Sequence, residues 1–196
     1  IVFSSPFEIR TYWVSWLGDQ AGHELFRRRN MMNDRAQVPP NGHALGEYTK
    51  GLGKSEFNVP LADSRTADQI VAKVEETFAA GKDFSLSISD GIYDPPDEAS
   101  RKLIRLQWDK RFLSWSVTDA ILGLYGKVAV NLRQKYPSSA SRIGFLIYSN
   151  MTLPPVFDTP IDPMFFGVLA PIDFDPIHAM DDPRAPDKGD LRWILG

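Results

Sequence analysis

Hydrophobic and polar positions alternate along this chain with two different periods, and the changes between them mark its elements. From Thr66 the apolar residues Ile70, Val71, Val74 and Phe78 recur at helical spacing up to Gly81, and Thr66 with Gln69 has capping-box spacing. The spacing predicts a helix with one buried face. Phe84, Leu86 and Ile88 then alternate with Ser85, Ser87 and Ser89, a period of two that predicts a strand ending at Asp90-Gly91. A second helix is predicted from about Ser116 to Tyr136, where Val117, Ala120, Ile121, Leu124, Val128 and Leu132 form an apolar stripe and Pro137 ends it. Ile143 to Tyr148 and Phe165 to Ala170 are almost continuous apolar runs, the composition of parallel strands covered on both faces.

The flanks are less regular. Phe7 to Trp16 is aromatic and β-branched and predicts a strand closed by Gly18-Asp19, a short helix over HELFRRRNMM follows, and Pro39, Pro40, Asn41 and Gly42 mark residues 36–47 as a loop. The tail from Asp175 is rich in Pro and Asp and reads as a long loop returning toward a helix near Leu191 to Leu195. Strands alternating with helices imply βαβ crossovers and an α/β fold, either a barrel or an open doubly wound sheet. No strand is followed by a Gly-x-Gly-x-x-Gly or a phosphate loop, which removes the usual nucleotide-binding reason for the open sheet. A complete barrel takes about 250 residues. The expectation for residues 1–196 is therefore a single domain that is a partial (β/α)8 TIM-type barrel with parallel strands, a segment of a larger barrel protein.

Composition narrows the partners. The chain is 43% hydrophobic and 24% charged, and no apolar run approaches the roughly 18 residues that span a bilayer, so no membrane span is expected. A net charge of -3 gives no field that attracts a phosphate backbone, and the short cluster Arg27, Arg28 and Arg29 reads as a solvated helix end, so no nucleic-acid partner is expected. The absence of cysteine excludes disulfides, thiolate catalysis and Cys-type zinc sites without deciding the compartment. Starting at Ile1 with no basic or apolar leader features, the sequence reads as a processed product or a piece of something longer.

In a parallel barrel the active site forms at the C-terminal ends of the strands, which directs attention to the residues after each strand. Asp90 stands out because a carboxylate ending a buried strand is costly unless bonded or used, although Asp-Gly is also an ordinary turn. Glu47 and Asp94 are the other carboxylates near predicted strand ends, and Asp90, Glu47 and Asp94 are the candidates for acid/base work. His43 and His178 offer imidazoles to a hydroxyl or a carboxylate, against the plainer reading of satisfied loop histidines. The three histidines lack metal-ligand spacing, so neither a metal nor any other cofactor is expected. Tyr93, Tyr148, Trp108 and Trp115 are possible stacking surfaces for a pyranose. The two tyrosines lie at predicted strand ends and join Asn150 as candidate binding residues, while the tryptophans are assigned to the core.

Gly42-His43-Ala44-Leu45, Ser87-Ile88-Ser89-Asp90-Gly91, the long helix ending Lys135-Tyr136-Pro137 and the run Ile143 to Tyr148 together resemble the DUF4838 family of bacterial proteins. The tail from Pro171-Ile172 to His178, with Asp182-Pro183 and Trp193, is similar to the same family, and the resemblance covers the chain from about residue 40 onward. It implies a large, exported, glycosidase-like protein, secreted or periplasmic, with a barrel distantly similar to those of α-glucuronidases and hexosaminidases. By this resemblance Asp90 matches the family's strand-end Asp, His43 its loop histidine, Tyr148 its strand-end tyrosine and His178 its tail histidine. After Asp90 many members carry a cysteine-rich stretch where this chain has Ile92-Tyr93-Asp94-Pro95-Pro96-Asp97, so contacts made there by the family do not transfer.

The expected function is that of a glycoside hydrolase-like barrel acting on a polysaccharide or oligosaccharide, with possible association with the rest of a larger chain. Hydrolysis needs two carboxyl groups across the scissile bond, and the sequence does not say which candidates face one another. A catalytically silent carbohydrate-binding or structural module is the alternative. An open-sheet α/β hydrolase is disfavoured by the absence of a Gly-x-Ser-x-Gly elbow.

Overall fold

The computed structural model describes residues 19–30, 32, 38–170, 177–178 and 182–185. The chain divides into two compact units, Ile1–Pro39 and Pro40–Gly196. In the first, α1 (Gln20–Arg29) is capped by Asp19, whose carboxylate accepts the Gly22 N–H at 2.9 Å. Arg27, Arg28 and Arg29 form its last turn, where positive charge complements the helix dipole, and Arg28 pairs with Glu24 one turn earlier. The strand expected over Phe7 to Trp16 and the helix expected near Leu191 lie outside the described residues.

The second unit runs α2 (Leu45–Thr49), α3 (Ser64–Ala79), β1 (Phe84–Ser85), α4 (Glu98–Ile104), β2 (Trp108–Asp109), β3 (Ser114–Trp115), α5 (Thr118–Lys135), β4 (Ile143–Ile147), a 3-10 turn (Ser149–Met151) and β5 (Phe165–Leu169). Strands β1, β4 and β5 form a parallel sheet in that order, and a parallel bridge from His43 to Ser87 sets residues 41–43 along the other side of β1. Successive parallel segments are thus spatial neighbours, without the reversal of strand order that defines a doubly wound sheet. Among the described residues the sheet has three strands and stays open; no closed barrel is formed.

Helices cover one face of this sheet. Tyr125 of α5 stacks on Phe165 at 5.0 Å and meets Phe145 edge-on at 5.3 Å, and α3 packs along α5. The apolar stripes read from the sequence form this seam: Ile70, Val74 and Phe78 of α3 and Ile121, Leu124, Val128 and Leu132 of α5 are all buried. The start of the β1–β4 pair is locked by Asp83, whose Oδ1 accepts the Arg142 N–H while Oδ2 takes Nε and Nη2 of the same arginine.

Two local expectations change. The cap of α3 is Asp63, which accepts the Arg65 N–H, whereas Thr66 lies inside the first turn and donates to the Pro60 carbonyl. Gln69 is likewise no capping partner, because its amide donates to the carbonyls of Tyr48 and Lys50 and so ties α3 to α2. The strand expected to end at Asp90-Gly91 is regular only over Phe84–Ser85, and the serines between Phe84 and Ile88 do not face water. All five residues are buried, and Ser85 and Ser87 donate to the carbonyls of Gly42 and Asn41. These hydroxyls also shorten the ladder. Ser87 Oγ accepts the Leu146 N–H and the Tyr125 hydroxyl donates to the Leu86 carbonyl, so side chains replace the backbone rungs expected there.

Candidate functional site

The C-terminal ends of the parallel segments bring three predicted residues together. The His43 ring lies against the segment that follows β1, with Nδ1 2.5 Å from the Ile88 carbonyl and Nε2 3.3 Å from Asp90 Oδ1. The carbonyl can only accept, so Nδ1 carries a proton, and Nε2 faces the carboxylate. Tyr148, at the end of β4, donates its hydroxyl to the same Asp90 oxygen at 2.5 Å, and its ring is 5.8 Å from that of His43. Asp90 Oδ1 therefore accepts the Tyr148 hydroxyl and lies close to His43 Nε2, so that groups from two other segments meet at it. Its side chain is 70% exposed, and Oδ2 has no bond to any described residue, so a fixed carboxylate presents one open acceptor.

Backbone strain sits beside this cluster. Ser149 follows Tyr148 at a φ of 51°, unusual for a residue with a side chain, and its hydroxyl donates to the Gly91 carbonyl. The bond ties the end of β4 to the turn that carries Asp90.

The other predicted residues take different places. Asn150 is fully buried: Oδ1 accepts the Tyr93 N–H at 3.1 Å, while Nδ2 donates to the carbonyls of Tyr93 and Trp115 at 3.0 and 2.9 Å. It clamps three backbone groups and offers nothing to a ligand. Tyr93, expected as a stacking surface, is only 1% exposed, and Phe57 packs edge-on against its ring at 5.4 Å. Its hydroxyl accepts the Ser89 N–H, and burial, with the Glu56 carboxylate nearby, pushes the phenol above its ordinary range. The expectation fails because an Ile-Tyr-Asp loop at a strand end folds inward onto Phe57.

Glu47 is exposed on α2, and it is its backbone carbonyl that is bonded, to Lys73. Asp94 is exposed; its N–H and carbonyl are held by Phe57 and Asn58, and the residue lines a cavity beside the hairpin β2–β3. His178 lies half-buried in the described pair 177–178 beyond the sheet.

The sequence reading missed Glu56. Its Oε2 accepts the Ser89 hydroxyl at 2.6 Å, one residue before Asp90. Gly46 makes room for it, since a Cβ there would lie 2.2 Å from the same oxygen. Nothing in the local pattern Gly51 to Asn58 signals this, because the contact spans 33 positions. The tryptophans assigned to the core are also misplaced: Trp108 is 50% and Trp115 39% exposed.

The end of the sheet thus presents a fixed, open carboxylate at Asp90, a second carboxylate at Glu56, an imidazole and a phenol, a set able to bond a hydroxylated ligand and exchange a proton with it. No helix among the described residues is long and apolar enough to cross a membrane. No family model, curated protein or solved structure matches this chain.

Proposed function

We propose that the chain is a segment of an exported (β/α) barrel of glycoside hydrolase type, acting on a polysaccharide or oligosaccharide at the rim formed by His43, Asp90 and Tyr148. The observation that carries the reading is the meeting of these three side chains from three successive parallel segments, at the strand ends where barrel enzymes keep their sites. The singly wound strand order and the resemblance to the DUF4838 family support it. In this reading Asp90 Oδ2 receives a sugar hydroxyl or the transferred proton, His43 and Tyr148 orient the carboxyl, and Glu56 is the favoured second carboxyl of the pair that hydrolysis requires.

Carbohydrate binding without cleavage is the second reading, favoured by the 70% exposure of Asp90, since glycosidic acid/base groups work best where water is excluded. One experiment separates them. A panel of chromogenic glycosides and a glycan array identify what the protein cleaves or binds, and Asp90→Asn is compared with wild type. Hydrolysis predicts turnover reduced by orders of magnitude with an unchanged melting curve. Binding without turnover by the wild type selects the second reading, and neither binding nor turnover of any glycan rejects both.

A further inference from the structure

Between α4 and α5 the chain inserts a two-stranded hairpin that the helix-strand alternation does not require. Trp108 and Trp115 pair across it, edge to face at 5.2 Å, and four residues join the strands. Both indoles are substantially exposed, and Leu113 at the turn is 75% exposed at a φ of 48°. Bare aromatic and aliphatic surface with backbone strain is unfavourable in water, and its concentration at one place marks a contact surface.

The indoles border a cavity of about 400 Å³, which also receives Arg101, Arg105 and Ser114. The two guanidinium groups come from positions one helical turn apart, at the end of α4 and its cap. On this helix Lys102 is paired with Glu98, whereas Arg101 bonds the Pro95 carbonyl at 3.3 Å and neither arginine has a carboxylate partner among the described residues. Asp94 is the acidic residue lining the cavity, so one positive charge remains in excess. The Ser114 hydroxyl is buried there with no hydrogen-bond partner among the described residues.

We infer that this cavity is a binding subsite for an acidic saccharide, its indoles packing on the C–H face of a pyranose and Arg101 and Arg105 holding a sugar carboxylate. A guanidinium matches a carboxylate with two parallel hydrogen bonds, and an indole matches the apolar face of a sugar ring. Asn150 fixes the subsite to the rim: its side chain holds Trp115 on the hairpin and Tyr93 in the loop after Asp90, and it stands two residues after Tyr148. A polymer bound at the rim has a second hold on the same end of the sheet. The choice of a sugar as ligand rests on the carbohydrate reading above; the acidic preference rests on the arginines.

The test is calorimetric titration with an oligogalacturonate and with a neutral oligoglucan of equal length, on wild type, Trp108→Ala, Arg105→Gln and Asp90→Asn. The wild type binds the uronate more tightly than the glucan, and added salt weakens that preference. Trp108→Ala weakens uronate binding about tenfold or more, and Arg105→Gln removes most of the acidic preference. Both positions are exposed, and matching melting curves exclude misfolding as the cause. Absence of uronate binding, or affinity unchanged in both hairpin variants, overturns the inference. So does a dimer in solution that Trp108→Ala dissociates without any effect on sugar binding. Glycan binding or turnover that Asp90→Asn abolishes and the hairpin variants leave intact overturns the subsite and upholds the rim. Hairpin-dependent uronate binding by a protein with no Asp90-dependent activity does the reverse.

Discussion

Replacing Asn150 by alanine tests whether the strand ends are assembled as described. The side chain is fully buried and makes three hydrogen bonds, one with the Tyr93 N–H, one with the Tyr93 carbonyl and one with the Trp115 carbonyl. Alanine removes all three and leaves a buried donor and two acceptors without their partner. A typical bond contributes about 1 kcal/mol net, and stranding a buried polar group costs about 1–3 kcal/mol, so a loss of about 3–5 kcal/mol is expected. For a domain of this size each kcal/mol lowers Tm by about 2–4 °C, giving a fall of roughly 6–20 °C. Asn150→Asp is the informative control. It keeps the shape and the acceptor for Tyr93 N–H but turns two donor positions toward carbonyls as acceptors, so it relieves little of the loss. The measurement is thermal and urea denaturation of the protein, with near-ultraviolet circular dichroism to follow Tyr93 and Trp115. A Tm within about 2 °C of wild type for Asn150→Ala refutes the clamp.

Other substitutions probe the same framework. Gly91→Ala places a Cβ 2.4 Å from the Phe57 ring and is expected to cost about 1–3 kcal/mol by overpacking, read by urea denaturation; an unchanged midpoint contradicts that contact. Tyr125→Phe keeps both ring contacts but strands the buried Leu86 carbonyl, and a loss of about 1–3 kcal/mol is expected in the same assay. Burial raises the Asp162 carboxyl, but hydrogen bonds from Arg133 and the Met164 N–H, with the Arg133 charge, outweigh it and hold the group below its ordinary 3.8. Its contribution to stability is therefore full above that value and lost as pH falls through the lower folded one, so Asp162→Asn lowers stability at neutral pH and flattens the loss below about pH 4. Denaturation across that range checks the slope.

The local pattern of this chain determined its main helices and two of its strands. The apolar stripes of α3 and α5 and the continuous runs of β4 and β5 are periodicities of one element, set by backbone geometry and readable over a few turns. Strand-end position likewise singled out His43, Asp90 and Tyr148, which meet because parallel strands carry their C-terminal ends to one side, but it equally singled out Tyr93 and Asn150, which are buried. Contacts between distant segments decided the rest. Alternation in Phe84 to Ile88 shows that the segment has two faces, and only the neighbouring 41–43 segment makes the serine face dry. The sequence made Tyr93 a surface ring and Trp108 and Trp115 core rings, and tertiary packing reversed both, since Phe57 covers the tyrosine and the hairpin lifts the indoles clear. Glu56 and the clamp of Asn150 reach their partners across 33 to 57 positions. A side chain's type sets what it can bond, but the partner is chosen by the path of the whole chain, and no local period carries that information.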